Sequence, residues 1–407
     1  VLAFEPDVVG FTTVETQFIH VQRLAAMIRA RSNCLLTCGG TYMTLFPQAM
    51  LEEASQPLDA AMRGECEYAF LELVEKVGRG EEYHDISNLA YVDPQGGRLV
   101  QNPLMPAIEH LEEIPHPAAE LFDCQEIIDE HNLIILHFSR GCPYPCTYCS
   151  ARVLMTQYGQ KIRYRSVDST IEEIKVTVDK FNVNPSTTIC ISDDLFSINK
   201  NWLDEFLPRY RREIDRPFMA NIRSNVTNED YFQKLADAGC KYVLMSVESG
   251  NDYIRNTVMK RAISRQKMFD SFEWANKAGV QTNANCIIGL PFETPEMIED
   301  SIQTIAQLGA TEYGINIFYP YKGTELRTVC EENGFMPDVL GMEANDLSSV
   351  QERKESILNL PTITKDQILD YAQNWESLVV RRKPLKVRTA RKIRSTYGDF
   401  FYKKNRL

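Results

Sequence analysis

The sequence predicts an α/β protein in two parts, each organised around parallel strands. Three observations carry that class. Residues 7–77 alternate strand-like and helix-like runs, residues 132–321 repeat strand then helix six times, and glycines or polar side chains gather where each strand would end. Six units are too few for the eight of a closed barrel, so the second part reads as an open, partial one.

Composition fits that class. A chain of 407 residues holds two cores, and 44% hydrophobic with 25% charged residues describes an ordinary folded protein. No apolar run approaches the ~20 residues that cross a bilayer, and no signal-peptide pattern opens the chain, so the expected location is cytoplasmic. The eleven cysteines fit a reducing compartment, and Cys34, Cys38, Cys66, Cys124, Cys190, Cys240, Cys286 and Cys330 read as buried small hydrophobes. A net charge of −12 argues against general nucleic-acid binding. Residues 381–407 nevertheless hold eleven Lys/Arg against one acid, leaving the preceding body at −22. Such a tail is a solvated helical face packing through Leu385, Ile393, Phe400, Phe401 and Tyr402, or a contact for an acidic surface such as lipid or a phosphorylated partner.

In the first part, strands are expected at 7–12, 34–38 and 58–62, and helices at 16–30, 44–54 and 67–77. Val21, Leu24, Ala25 and Ile28 recur at one-face spacing in the first helix. The turns after the strands are Thr12-Thr13, Gly39-Gly40-Thr41 and Gly64-Glu65, at the strand ends where open parallel sheets bind ligands. Residue 1 is Val and opens directly on a strand-like run, which reads as a start inside a domain. His20 lies within the first helix and reads as a surface or packing residue. Residues 84–131 read as a connector without chemistry: a hairpin around Asp93-Pro-Gln-Gly-Gly97, then an extended stretch set by Pro103, Pro106, Pro115 and Pro117.

In the second part, strands are expected at 133–138, 187–193, 217–222, 241–247, 282–289 and 314–319. Between them, Ile171, Ile174, Val178 and Phe181 share one helix face behind a Ser169/Glu172 capping box, and a further helix runs from Thr227 to before Gly239. After the first strand and the turn Ser139-Arg140-Gly141 comes Cys142-Pro-Tyr-Pro-Cys146-Thr-Tyr-Cys149. Three thiols within eight residues, on a loop stiffened by Pro143 and Pro145, can wrap one corner of an iron–sulfur cluster and leave one iron open. The plainer alternatives are a zinc site or unrelated thiols, but no second C-x-x-C pair or H-x-x-x-H follows. At later strand ends stand Ser192-Asp193-Asp194, Arg223-Ser224, Ser246-Val-Glu248-Ser249-Gly250 and Gly289-Leu-Pro-Phe-Glu293. Taken singly, Asp193 or Glu248 reads as a helix cap, and Glu293-Thr-Pro as the start of the next helix.

The C-x-x-x-C-x-x-C loop, with Tyr148 before its last cysteine, resembles the radical S-adenosylmethionine (radical SAM) superfamily. SDDLF, VESG, IIGLPFET and Pro320-Tyr-Lys-Gly-Thr-Glu325 follow in that family's order. The resemblance implies a partial (β/α)6 TIM-like barrel and a 4Fe-4S cluster held by Cys142, Cys146 and Cys149, whose open iron binds SAM for reductive cleavage. It implies SAM contacts at Tyr148 and Ser246, at Asp193 or Asp194 for the ammonium, Arg223 for the carboxylate, Glu248 and Ser249 for the ribose hydroxyls, and backbone at Ile288 and Gly289 for adenine. Asn285 stands where the family carries Gly, and Lys322 where it carries a second proline.

PDVVGFTT, CGGTYMT and MRGECEYAF, in that order, resemble the later half of the Rossmann-like (flavodoxin-like) cobalamin-binding domain that precedes many radical SAM domains. Carried over by position, Thr12, Thr13, Gly39, Gly40, Thr41, Gly64 and Glu65 become cobalamin contacts. The family's earlier strands, and the D-x-H-x-x-G loop that ligates cobalt in some relatives, have no counterpart here. The implied domains are 1–83 partial cobalamin-binding, 84–131 connector, 132–335 partial barrel and 336–407 helical extension with the basic tail. The implied activity is methyl transfer to an unactivated carbon of a small-molecule or lipid substrate, with electrons from a flavodoxin or ferredoxin-like donor. A ring-forming or oxidative cyclase of the anaerobic porphyrin type and a non-catalytic cofactor-binding protein are the alternatives.

Overall fold

The computed structural model describes residues 1–159, 161–196, 198–337 and 355–383. The basic stretch 384–407, with the apolar residues expected to pack from it, lies outside the described residues. The chain divides into two compact units: Val1–Glu109 with Tyr148–Lys161 and Pro320–Thr328, and His110–Thr147 with Ile162–Tyr319 and Val329–Leu407. Among the described residues, no helix is long and apolar enough to cross a membrane.

In the first unit β1 (Val8–Thr12), β2 (Leu35–Gly39) and β3 (Ala60–Met62) lie parallel in sequence order. Because side chains alternate along a strand, β2 sends Leu36 and Cys38 to one face and Leu35 to the other. Phe18, Val21, Ala25 and Ile28 of α1 (Phe18–Arg29) join the core on the first face. Leu24, expected on that stripe, falls at its rim and is exposed. The single helix expected at 44–54 is broken into α2 (Thr41–Leu45) and short 3-10 turns, because Pro47 has no N–H to continue the ladder. Ala69 and Leu73 of α3 (Glu67–Gly78) join the core on the second face.

The stretch expected to be a connector does more than connect. Its hairpin forms β4 (Leu89–Val92) and β5 (Leu99–Gln101), and β4 pairs antiparallel with β3, covering what would otherwise be an open sheet edge. Further on, α4 (Cys124–His131) was missed because Ile128 is its one buried residue and gives no periodicity. The segment after Cys149 forms α5 (Ser150–Gln157), within the first unit.

In the second unit β6 (Leu133–Leu136) is followed by the short antiparallel pair β7 (Ser139–Arg140) and β8 (Arg163–Tyr164). With β9 (Thr188–Ile191), β10 (Phe218–Asn221), β11 (Cys240–Leu244), β12 (Gln281–Ile288) and β13 (Glu312–Ile317), β6 builds one all-parallel sheet. Its order is β13-β12-β11-β10-β9-β6, so the first and last strands are its edges. One face sends Ile134, Leu136, Ile189, Ile191, Phe218, Ala220, Val243 and Ile288 into the main core, while Leu133, Cys190, Met219 and Tyr242 pack on the other.

The main core also takes in residues of α6 (Val167–Lys180), α7 (Lys200–Glu213), α8 (Glu229–Asp237), α9 (Arg265–Lys277) and α10 (Pro295–Leu308). The cap of α6 is Ser166 rather than Ser169: Ser166 Oγ accepts from Ser169 N, and Ser169 instead meets His116 and Arg165. Likewise Asn228 caps α8, and the Thr227 hydroxyl bonds the Ser224 carbonyl. Helix α11 (Glu325–Glu332) and the box-capped α12 (Lys365–Arg382) complete the described elements, with Ile368, Trp375 and Val379 of α12 in the main core. Of the scattered cysteines, Cys34, Cys38, Cys190, Cys240, Cys286 and Cys330 are buried as expected, and burial pushes the Cys38, Cys190 and Cys240 thiols up to about 12. Cys66 and Cys124 are only partly covered.

Candidate functional site

The second unit's site starts where β6 ends. Asp193, just past β9, is buried: its Oδ1 accepts from Phe138 N at 2.7 Å and its Oδ2 from Ser139 Oγ at 2.6 Å. Burial pushes its carboxyl up although both donors favour the charged form. Both oxygens therefore help fix the turn that leads into the cysteine loop; of the two carboxylates expected at the SAM ammonium, Asp193 is the one held by the protein's own donors. Its neighbour Asp194 is exposed and takes the Gly141 N–H.

The loop itself is pinned from one segment that sequence reasoning passed over. That segment is a π-helical turn, Ile254–Val258, and the residue after it. Thr147 donates through Oγ1 to the Val258 carbonyl at 2.8 Å and through its N–H to the Met259 carbonyl at 3.2 Å. Arg223, at the end of β10, donates through Nη1 to Cys146 Sγ at 3.3 Å, through Nε to Asn225 at 2.8 Å and through Nη2 to the Arg261 carbonyl. Its guanidinium carbon lies 3.8 Å over the Tyr144 ring. Arg223 is thus turned to the cysteine loop, where the expectation had it reaching a SAM carboxylate.

Glu248 continues past β11 alongside β12: its N–H donates to the Asn285 carbonyl at 2.9 Å and its carbonyl accepts from Ile287 at 2.8 Å. Its carboxylate meets Arg261 Nη1 at 3.0 Å, and Arg261 Nη2 donates to the Ser246 carbonyl at 2.8 Å. Glu248, Lys260 and Ala262 all adopt positive φ, of 64°, 50° and 51°, a costly backbone state for residues with side chains. The Ser249 hydroxyl, expected on the ribose side, is fully buried and accepts from Asn251 N at 3.2 Å beside Ser301. Gly250 explains why: a Cβ there would stand 2.5 Å from the Asp300 carbonyl, so the loop lies directly against α10.

At the end of β12 the backbone groups expected to meet adenine have partners already. The Ile288 carbonyl accepts from Phe318 N at 2.8 Å, its side chain is in the core, and Gly289 N–H donates to Glu293 Oε2 at 2.7 Å. Burial pushes the Glu293 carboxyl up to about 8, and among the described residues its Oε1 has no partner. Glu293 therefore folds back on its own loop instead of simply opening α10. Arg255, fully buried with donors on the Ser249, Gly250 and Ile263 carbonyls, was also missed, as was Arg261. Neither carries a sequence signal, since a buried arginine in an irregular segment looks like any surface one.

In the first unit the three expected loops do sit at the ends of parallel strands, but much of their chemistry is internal. Thr13 is buried with its hydroxyl on the Val14 carbonyl. A Cβ on Gly40, at φ 91°, would lie 2.6 Å from the Thr13 carbonyl, so the glycine serves contact between two loops. The Tyr158 hydroxyl accepts from Glu65 N at 2.6 Å and would stand 1.4 Å from a Cβ on Gly64. Glu65 Oε2 accepts from Ile108 N at 3.1 Å. Thr12 is exposed, and Gly39 and Thr41 are half-buried.

Cys142 is half-buried and Cys146 buried; Cys149, half-buried like Tyr148 before it, immediately precedes α5. Among the described residues no three His, Cys, Asp or Glu side chains converge as on a single metal ion. In a cubane cluster each thiolate binds a different iron, so such ligands stand farther apart than those of one ion.

Residues 136–305 match the radical SAM superfamily. The chain is 30% identical over 326 residues to an uncharacterized methyltransferase of Pyrococcus horikoshii, covering 79% of this chain and 69% of that protein. It is 26% identical over 312 residues to the anaerobic magnesium-protoporphyrin IX monomethyl ester cyclase of Rubrivivax gelatinosus, covering 74% and 54%. The radical SAM methyltransferase TsrM from Kitasatospora setae, solved with tryptophan substrate and a SAM analog, matches with a TM-score of 0.65 at 18% identity over 81% of this chain and 66% of that one. TsrM with cobalamin and a 4Fe-4S cluster bound matches with the same TM-score at 17% identity, over 84% and 69%. At these identities the structural likeness is one of fold.

Proposed function

Because this chain belongs to the radical SAM superfamily, we propose that it is a cobalamin-dependent methyltransferase acting on an unactivated carbon of a small molecule or lipid. The observation that carries this is the 30% identity to a methyltransferase across 69% of its length, joined to the three-cysteine loop. When bound, a 4Fe-4S cluster supplies one-electron reductive cleavage of SAM, and cobalamin supplies a transferable methyl group.

The donor set fits the cluster: three thiols on eight residues, none of them in a disulfide, leave one iron for SAM. Cys142, Cys146 and Cys149 would hold it. Asp193 keeps the loop's entry in place, Thr147 and Arg223 fix its middle, and Asp194 remains as the ammonium partner. Glu248, oriented by Arg261, would take the ribose hydroxyls, with Ser246 on the same loop, and Tyr148, next to Cys149 in the chain, would be a further SAM contact. At β12, Ile288 and Gly289 would bound the adenine largely through shape, the Ile288 carbonyl and the Gly289 N–H being engaged already.

For cobalamin, Thr12, Gly39 and Thr41 fit as contacts at the ends of parallel strands, supported by the fold shared with cobalamin-bound TsrM. Gly64 and Glu65 fit only if Tyr158 moves aside, since its hydroxyl fills their loop. Reductive cleavage requires an electron donor, of the flavodoxin or ferredoxin kind, and eleven cysteines outside any disulfide support a reducing, cytoplasmic setting. The basic stretch after residue 380 would suit an acidic surface.

Mass spectrometry with methyl-labelled SAM and cobalamin tests the reading: label should pass first to the corrinoid and then to the product. The similarity to the porphyrin cyclase favours a second reading, a ring-forming or oxidative reaction. A product formed without gain of a methyl group would select it.

A further inference from the structure

We propose that Arg223 is a positioning residue of the iron–sulfur centre, which raises the centre's reduction potential by donating to a ligand sulfur. This rests on Cys146 being a cluster ligand. Arg223 is 6% exposed, and each guanidinium nitrogen holds a partner from a different segment: Cys146 Sγ at 3.3 Å, Asn225 at 2.8 Å and the Arg261 carbonyl. The Tyr144 ring, 3.8 Å from the guanidinium carbon, closes one face of the plane. The fork is therefore held by both the cysteine loop and the segment after the π-helical turn.

A guanidinium stays charged at any working pH, and its planar fork satisfies several directions that a single ammonium cannot. One-electron reduction adds negative charge to a cluster. A fixed cation with an N–H directed at a thiolate stabilises that added charge, and hydrogen bonds to cluster sulfurs are among the levers that set such potentials. The same contact fixes the Cys146 rotamer, so orientation and potential are coupled through one side chain.

The test uses the full chain, reconstituted anaerobically as wild type, Arg223→Gln, Arg223→Lys and Tyr144→Leu. Iron is counted, the cluster is titrated by electron paramagnetic resonance, and SAM binding is measured on the oxidised form. Arg223→Gln is expected to keep its iron and to show at least a threefold lower reduced-to-oxidised ratio at the wild-type midpoint potential. Arg223→Lys, which keeps the charge but loses the fork, should fall between. Tyr144→Leu should shift the ratio in the same direction but less. If Arg223→Gln loses iron, the Lys and Leu variants carry the test, and an unchanged midpoint in both overturns the proposal. An unchanged midpoint with SAM affinity reduced tenfold also overturns it and returns Arg223 to the SAM carboxylate. A wild type that assembles no 4Fe-4S cluster would remove the premise instead, a separate and recognisable outcome.

Discussion

Arg261 holds Glu248 at 3.0 Å while bonding the Ser246 carbonyl, and both side chains are largely withdrawn from water. Removing one member of such a pair leaves the other's charge uncompensated. Arg261→Met alone should cost about 3 to 5 kcal/mol of stability, and Arg261→Met with Glu248→Gln distinctly less. Urea unfolding of the two variants checks the order; equal losses would mean the pair is not coupled.

Glu248 and Ser249 are neighbours with opposite expectations. Glu248→Ala should weaken SAM binding by about 1 to 3 kcal/mol with the cluster intact, the range for a lost charged hydrogen bond. Ser249→Ala should leave SAM affinity unchanged, because that hydroxyl is buried beside Ser301. Calorimetric titration with SAM distinguishes them.

Each of Cys142→Ala, Cys146→Ala and Cys149→Ala should abolish SAM cleavage and lower bound iron after anaerobic reconstitution, since three thiolates hold the whole cluster. Iron counting and a 5′-deoxyadenosine assay read both. Full iron and full cleavage in the triple variant would discard the cluster assignment.

Glu293 predicts a pH effect. Its carboxyl is raised from an ordinary 4.5 to about 8 by burial, so over that window the folded state binds a proton the unfolded state has released. Its contribution to stability is fully present below 4.5, falls as pH rises and is gone above about 8. Glu293→Gln keeps the shape and removes the proton, so thermal melts of the variant between pH 5 and 8.5 should slope less than those of the wild type.

Gly64 and Tyr158 give a steric prediction. Gly64→Ala should destabilise the first unit through its φ of 75°, at about 1 to 2 kcal/mol, and additionally through the Tyr158 hydroxyl. Adding Tyr158→Ala should restore the second part only. Cobalamin retention measured on Tyr158→Ala alone shows whether vacating the loop aids the corrinoid, and unchanged retention would leave Gly64 and Glu65 outside its site.

Local pattern was enough for much of this protein. Each of the six strands of the second unit's parallel sheet overlaps its expected span, because an apolar run bounded by turns carries its own signal whatever it pairs with, whereas the short pair β7 and β8 carries no such run. The cysteine loop was legible because its three thiols are close in sequence. The capping residues were misread by one to three positions, since Ser166, Ser169, Thr227 and Asn228 are all acceptable caps and only the helix's final path chooses among them.

What the sequence determined was therefore the class, the positions of the strands along the chain and the residue types available at each strand end. What only the tertiary structure decided was which of those polar groups the protein uses on itself. Asp193 is taken by Phe138 and Ser139, Gly289 by Glu293, Ser249 by Asn251, and Arg223 by Cys146 and the Arg261 carbonyl. A buried donor or acceptor left unmade costs about 1 to 3 kcal/mol, so each finds the nearest partner in space. For Arg223 and Cys146 that partner lies 77 residues away along the chain, a distance that no local pattern spans.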